Sequence, residues 1–192
     1  VRTATALKLI LKSTKNNTLT TKQLASQLYL SVPTTLKVIN DCRSWLKLFN
    51  IELNVVRNKG LELAYNEVSY RLALKHFILK FDTETNVEES ILFFMPGLDL
   101  DAIRRGIMET EKEWSFEFAE ESFNEVLVYA SLAIYQNQQE NGRKLKFSDE
   151  ELEMLQKYNE YSFAEAIFKK LGAHFNMTLP TEEKAFLSIQ IL

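Results

Sequence analysis

Apolar residues over the first 47 positions recur at the three-to-four-residue spacing of helices. We expect the first helix to end near Ser13, at a polar break over residues 12–17. Thr20 and Gln23 form a capping-box signature for a second helix, and Ser31 followed by Pro33 favours the start of a third. The inward-facing positions of the three helices are predicted to be Leu7, Ile10 and Leu11, then Leu24, Ala25 and Leu28, then Thr35, Ile39, Cys42 and Leu46.

A short turn and a hairpin complete this first part of the chain. Tyr29 and Leu30 leave room for only a tight turn between the second and third helices, which is the spacing of a helix-turn-helix. Residues 51–56 then alternate as a half-buried strand, 57–60 form a turn that ends in glycine, and 61–64 pair back. The pattern predicts a winged helix-turn-helix whose wing is this small β-hairpin.

The rest of the chain carries helical patterns and no strand pattern of useful length. Asn66 is placed to cap a helix that runs to Phe81, and residues 88–95 predict another, ended by Pro96 and Gly97. Further helical stripes follow, with a second capping box at Ser148 and a helix expected to close at Gly172. We therefore predict a mainly α protein with three parts: a winged helix at 1–65, a helical connector at 66–95 and a helical bundle at 96–192.

Charge divides the chain more sharply than any other property. Residues 1–80 carry 13 Lys or Arg and four Asp or Glu, a net charge of +9, whereas residues 81–192 carry 10 and 22, a net charge of −12. A basic surface attracts the phosphates of nucleic acid, and an acidic one is repelled by them. We expect the first part to contact DNA, with Arg57 and Lys59 at the wing tip against backbone phosphates.

Several other classes of protein are disfavoured. No apolar run reaches the ~20 residues that span a bilayer, and the single cysteine, Cys42, cannot form an intrachain disulfide. We expect a cytoplasmic location and no membrane contact. The sequence contains no phosphate-binding loop, dinucleotide-binding glycine pattern, His-Glu-x-x-His or Gly-x-Ser-x-Gly. We therefore expect no enzyme, no cofactor and no metal site.

The first part resembles a known family of domains. The residues from Leu24 to Leu46, the wing at 51–63 and the run Asn66–Arg71 look like the Mga-type winged helix of bacterial transcription regulators. These regulators also carry phosphotransferase-system regulation domains, abbreviated PRDs. The resemblance implies that the third helix enters the major groove of double-stranded DNA. Its candidate contacts, together with the two wing residues, are Ser31, Val32, Pro33, Thr34, Leu36, Lys37 and Asn40.

The recognition helix departs from the family pattern. Val32 and Pro33 stand where two basic residues are common, and Leu36 replaces a usual polar residue. Thr34, Lys37 and Asn40 remain as polar candidates, while Val32 and Leu36 can touch thymine methyl groups. An alternative is that this unit docks on phosphate or on a neighbouring domain without reading bases.

The bundle resembles a PRD. Leu127–Gln136 matches the first family signature, Tyr158–Tyr161 with Ala164 the middle one, and Leu179–Ile189 the last helix. PRDs sense carbohydrate supply when phosphocarrier proteins phosphorylate histidines in the first and last signatures. The corresponding residues here are Tyr129 and Gln190, and neither offers the neutral ring nitrogen of histidine. The arginine that usually follows the first histidine by seven positions is Gln136.

Together these features predict a fragment of a DNA-binding transcription regulator linked to carbohydrate control, with a PRD that lacks both phosphoacceptor histidines. The resemblance implies a homodimer through the PRD, and we expect apolar faces at 93–94 and 126–134 that the bundle is too small to cover by itself. Phosphocarrier proteins would then act only through parts outside this fragment. Two alternatives stay open: an RNA-binding antiterminator, and a winged-helix/PRD interaction and dimerisation module without direct DNA readout.

Overall fold

The computed structural model describes residues 2–13 and 17–192, which form two compact units. The first unit ends at Asp82, and the second runs from Thr83 to Leu192. The division falls inside the stretch 66–95 that the sequence assigns to a connector, so the three-part division stays a prediction. Residues 14–16, in the middle of the expected polar break, lie outside the described residues.

Three helices and a hairpin build the first unit: α1 (Arg2–Lys12), α2 (Thr21–Leu28), α3 (Val32–Lys47), β1 (Glu52–Val56) and β2 (Gly60–Ala64). The three helices pack on one another, and their predicted inward residues form a buried core, apart from Leu28. Leu28 is only half-buried, because α2 ends there and the chain turns away at Tyr29.

Local hydrogen bonds set the ends of these helices as the sequence predicts. At Thr20 the side chain accepts from Gln23 N at 3.1 Å, and Gln23 Oε1 accepts from Thr20 N at 2.9 Å, which confirms the capping box. Tyr29 adopts a left-handed conformation with φ of 56°, so α2 stops and the chain turns within two residues. Ser31 then caps α3 by accepting from Thr34 N.

The hairpin pairs antiparallel with Leu53 opposite Leu63, and its turn lies at residues 57–59. An extended segment before α2 joins it, because Leu61 N donates to Leu19 O at 2.8 Å and Thr18 Oγ1 donates to Lys59 O at 2.6 Å. The wing is therefore anchored at its base rather than free-standing.

A fourth helix packs against the same unit. α4 (Glu67–His76), capped by Asn66, continues as a π-helical turn over Phe77–Phe81. Tyr70 Oη donates to Leu11 O at 2.6 Å in a buried position, and a cluster of aromatic rings joins the end of α3 to the π-helical turn. Its members are Trp45, Phe49, His76, Phe77 and Phe81. The chain up to Phe81 therefore shares one folded unit with the wing.

The second unit is a helical bundle of α5 (Val87–Phe94), α6 (Leu100–Glu113), α7 (Glu120–Gln138), α8 (Asp149–Leu155), α9 (Asn159–Phe175) and α10 (Thr181–Ile191). Ser148 caps α8 by accepting from Glu151 N at 3.1 Å. The expectation that a helix closes at Gly172 is wrong: α9 continues to Phe175 and ends at Asn176, which has a φ of 53°. The mainly α fold predicted from the sequence is confirmed.

The apolar stretch that suggested a dimer face is used inside one chain. Every residue of Val126–Ile134 is buried, because α7 packs against α5, α6 and α10. Phe94 is buried as well. The expectation of an exposed apolar face at 126–134 is therefore wrong. The burial of this stretch does not test the predicted homodimer, which stays a prediction.

Candidate nucleic-acid interface

The outer face of α3 presents a continuous stripe of exposed residues. Pro33, Leu36, Lys37, Asn40, Ser44 and Lys47 are all exposed and follow one another along one face of the helix. The opposite face is buried against α1 and α2, since Thr35, Val38, Ile39, Cys42 and Leu46 are among the least exposed residues of the unit. This amphipathic arrangement fixes which side of the helix can meet a partner.

The stripe begins in the turn that caps α3, where two candidate DNA-contacting residues, Ser31 and Thr34, are hydrogen-bonded to each other. Ser31 Oγ donates to Thr34 Oγ1 at 2.9 Å and accepts from Thr34 N at 3.3 Å. The Ser31 hydroxyl proton is thus used within the cap, whereas Thr34 keeps its own hydroxyl proton for an external acceptor. Val32 is 39% exposed and Leu36 is 44% exposed, so both apolar candidates are available for contact.

The wing supplies a second group of exposed cations. Arg57, Asn58 and Lys59 are exposed at the hairpin tip, and Asn58 has a φ of 65° that closes the turn. Gly60 follows with a φ of +113° and lies directly against the backbone of Leu19. The two charged side chains are therefore carried by a turn whose base is tied to the helical core.

The sequence analysis did not single out Arg43, which contacts one of the candidate residues. Arg43 lies one turn after Asn40 on α3, where its Nη1 donates to Asn40 Oδ1 at 2.6 Å and its Nε donates to Leu53 O at 3.0 Å. The first contact is an (i, i+3) pair that helical spacing could have indicated. The second depends on the tertiary approach of β1 to α3, for which the sequence carries no local signal.

The thiol of Cys42 is placed inside the core. Burial, with a smaller contribution from the charge of Asp41, raises the pKa of Cys42 to about 12. A group with that pKa is protonated at neutral pH and is a poor nucleophile. Its position agrees with the predicted role of a small core residue.

In the second unit, the two positions predicted to correspond to the PRD histidines, Tyr129 and Gln190, lie on neighbouring helices. Tyr129 is on α7 and is 1% exposed, with its ring packed edge-on against Phe186 of α10 at 5.2 Å between centroids. Gln190 is on α10 and is half-buried. Gln136 is also buried and accepts from Arg143 N at 3.1 Å, which holds the loop after α7 against the end of that helix.

The two histidines have separate environments. His76 lies among the aromatic rings of the first unit, and its pKa is lowered by burial and by Lys75 and Lys80. His174 is exposed at the end of α9, with Nε2 at 2.9 Å from Asp99 Oδ2. The pKa of Asp99 is lowered chiefly by the hydrogen bond from Ala102 N and also by His174.

Two negative findings apply to residues 2–13 and 17–192. These residues contain no group of three or more His, Cys, Asp or Glu side chains arranged to hold a metal ion. No helix among them is long and apolar enough to cross a membrane.

Comparison with known proteins agrees with the two structural units. The Mga helix-turn-helix domain model matches residues 1–78, and the PRD domain model matches residues 105–192. The chain is also similar to two curated proteins of Bacillus subtilis (strain 168). It is 25% identical over 171 residues to the probable licABCH operon regulator, covering 88% of this chain and 26% of that protein. It is 23% identical over 171 residues to transcriptional regulator ManR, covering 89% and 26%.

The chain thus spans about a quarter of the length of these relatives. The two domain models together cover most of this chain, with the helix-turn-helix domain first and the PRD after it. The chain therefore belongs to the PRD-containing bacterial transcription regulators.

Proposed function

We propose that this chain is the DNA-binding and PRD segment of a cytoplasmic transcription regulator of the sugar-operon type. The observation that carries the proposal is the exposed stripe on α3. The stripe and the cationic wing both lie within residues 1–80, whose net charge is +9. Both relatives bear the names of regulators, and one is named as an operon regulator. An exposed helix beside a basic hairpin matches the major-groove and backbone contacts of winged helices.

Residues of the stripe, of its capping turn and of the wing have roles that their chemistry suits. Lys37 on α3 and Arg57 and Lys59 on the wing would contact phosphates and position the protein on the duplex. Thr34 would donate a hydrogen bond to a base edge, and Val32 and Leu36 would contact thymine methyl groups. Ser31 and Pro33 would hold the start of the helix, since the Ser31 hydroxyl is used in the cap.

The proposal for the second unit is a PRD that phosphocarrier proteins do not modify. A phenol that is 1% exposed at Tyr129 offers no accessible nucleophile, and the amide of Gln190 has no nucleophilic nitrogen lone pair. Signals from phosphocarrier proteins would then reach the regulator through parts outside this segment. Tyr129 would serve as packing between α7 and α10 instead.

We also propose a homodimer through the PRD, now based on a different surface from 126–134. Trp114 and Phe116 are 42% and 47% exposed and lie with Phe118 and Phe163 in one aromatic group. Exposed aromatic groups of this kind are favoured at protein interfaces. Sedimentation of the chain at micromolar concentration should show a dimer that Trp114→Ser with Phe116→Ser weakens, and a chain that is monomeric throughout would contradict the proposal.

Salt-dependent binding tests the DNA-binding role. Affinity for a short mixed-sequence duplex should fall with salt at a log–log slope of about −0.9 per phosphate contact. Each of Lys37→Gln, Arg57→Gln and Lys59→Gln should reduce the magnitude of that slope by about one. Lys157→Gln, which removes an exposed charge from the acidic unit, is the matched control and should leave the slope unchanged.

The same titration separates the alternatives. Slopes that the three variants do not alter would favour an interaction module without DNA contact. Stronger binding to an RNA hairpin than to the duplex would favour the antiterminator. Removing the second unit should strengthen non-specific duplex binding, because its 10 Lys or Arg and 21 Asp or Glu give it a net charge of −11, which repels phosphate within about a Debye length.

A further inference from the structure

We propose that Arg43 is a positioning residue for DNA recognition, which holds Asn40 as a donor-only group and thereby favours guanine over adenine at the base that Asn40 meets. The inference rests on the proposed DNA-binding function and adds a base preference to it. It is drawn from the contacts of one guanidinium group that bridges the recognition helix and the wing.

The geometry places Arg43 between two elements. Its Nη1 donates to Asn40 Oδ1 at 2.6 Å on the same helix, and its Nε donates to the carbonyl of Leu53 in β1 at 3.0 Å. Leu53 is 2% exposed, so that carbonyl belongs to the folded core of the hairpin. The Arg43 side chain is itself half-buried, whereas Asn40 is exposed in the middle of the stripe.

The chemistry of the pair fixes which end of the Asn40 amide faces outward. A guanidinium has only N–H donors, so the atom of Asn40 that faces it must be the carbonyl oxygen. The amide nitrogen, with its two protons, is then directed away from Arg43. A charge-assisted hydrogen bond of this length holds that orientation more strongly than a neutral one would.

An asparagine side chain whose amide is held in one orientation recognises bases differently from an asparagine that can rotate freely. A free asparagine binds adenine with both ends of its amide, since it donates to N7 and accepts from the N6 amino group. When Arg43 holds the oxygen turned toward itself, the two N–H donors of the amide are the atoms directed toward the major groove. Guanine offers two acceptors there, O6 and N7, and no donor. The structure therefore favours guanine at this position.

The bond to Leu53 adds a second consequence. The same guanidinium that orients Asn40 also holds β1 against α3. The position of the wing and the orientation of the Asn40 side chain therefore both depend on Arg43. A lysine at this position would keep a positive charge but could not present a planar fork to two acceptors in fixed directions.

The test is selection of duplexes by the complete chain from a library with randomised positions, followed by titration of matched guanine and adenine duplexes. The unmodified chain should prefer guanine at one position, and Asn40→Ala should remove that preference. Arg43→Met should lower the guanine-to-adenine affinity ratio there by about fivefold or more, the low end of what one bidentate base contact contributes. Lys157→Met, which removes an exposed charge from the second unit, is the matched control and should leave the ratio unchanged.

A separate readout distinguishes positioning from a phosphate contact. The salt slope of Arg43→Met should equal that of the unmodified chain, because the Arg43 guanidinium is engaged by protein acceptors. A slope reduced by about one would make Arg43 a phosphate contact and overturn the inference. If Arg43→Met does not fold, as judged by Trp45 fluorescence, Arg43→Lys is used with the same expected change in ratio.

Two further results have distinct meanings. Duplex binding with an unchanged base preference in a folded Arg43 variant would overturn this inference and leave the proposed function standing. Failure of the unmodified chain to bind any duplex would overturn both.

Discussion

Replacement of Gly60 by alanine is expected to destabilise the first unit through two effects of similar size. Gly60 has a φ of +113°, a conformation that alanine adopts only under strain of about 1–3 kcal/mol. A Cβ atom added there would also lie 2.7 Å from Leu19 O and 3.2 Å from Thr20 Cα, both of which are backbone atoms. Because backbone cannot move aside as a flexible side chain can, the overlap should cost about another 1–3 kcal/mol.

A smaller effect opposes these costs. Alanine restricts the unfolded chain and thereby stabilises the folded state by about 0.4–1 kcal/mol. The net expected loss in the free energy of unfolding for Gly60→Ala is therefore about 1–5.5 kcal/mol. The strand bond from Leu61 N to Leu19 O should weaken as the wing base shifts, so duplex affinity should fall as well.

Gly97 provides a matched control for backbone strain without overlap. It has a φ of +81°, and a Cβ atom there would meet no atom within 4 Å. Gly97→Ala should therefore cost only the conformational strain, about 1–2 kcal/mol before the same entropic offset. The difference between the two variants measures the contact of Gly60 with Leu19.

The two tryptophans make the assay specific to each unit. Trp45 lies in the first unit and Trp114 in the second. Denaturant unfolding of Gly60→Ala is followed by Trp45 fluorescence in a Trp114→Phe background, and Gly97→Ala by Trp114 fluorescence in a Trp45→Phe background. This separation is needed because a chain of two units need not unfold in one step. A change of less than about 0.5 kcal/mol for Gly60→Ala would refute the reasoning.

Three other outcomes are expected. Cys42, whose pKa is about 12, should react with a thiol reagent at pH 8 only as fast as the chain unfolds, and rapid reaction without denaturant would contradict its burial. Arg71→Met removes the guanidinium that lies 2.9 Å from the buried carboxylate of Glu67 and should cost about 3–5 kcal/mol in chemical unfolding, whereas the double change Glu67→Leu with Arg71→Met should cost less. Incubation with phosphoenolpyruvate and the general phosphotransferase proteins should leave the chain unphosphorylated by mass spectrometry, and phosphate on any histidine would oppose this view of Tyr129 and Gln190.

Features that depend on hydrogen bonds between near neighbours could be predicted from the sequence. The capping box at Thr20, the cap at Ser31 and the wing turn at 57–60 each involve residues about three positions apart, so their chemistry is visible in a short window. The mainly α character and the helix-turn-helix followed by a wing follow from the same local signals. The uneven charge is a property of composition and needs no structure at all.

Only the tertiary structure decided which apolar surfaces are covered and which polar atoms are already bonded. The stretch 126–134 has a pattern that fits either an interface or a core, and the packing of α5, α6 and α10 around α7 makes it core. The bond from Arg43 to Leu53 and the bond from Leu61 to Leu19 join residues on different elements, the second pair 42 positions apart in the chain. Such contacts arise from the way the elements fold together, and no periodicity within one segment encodes them.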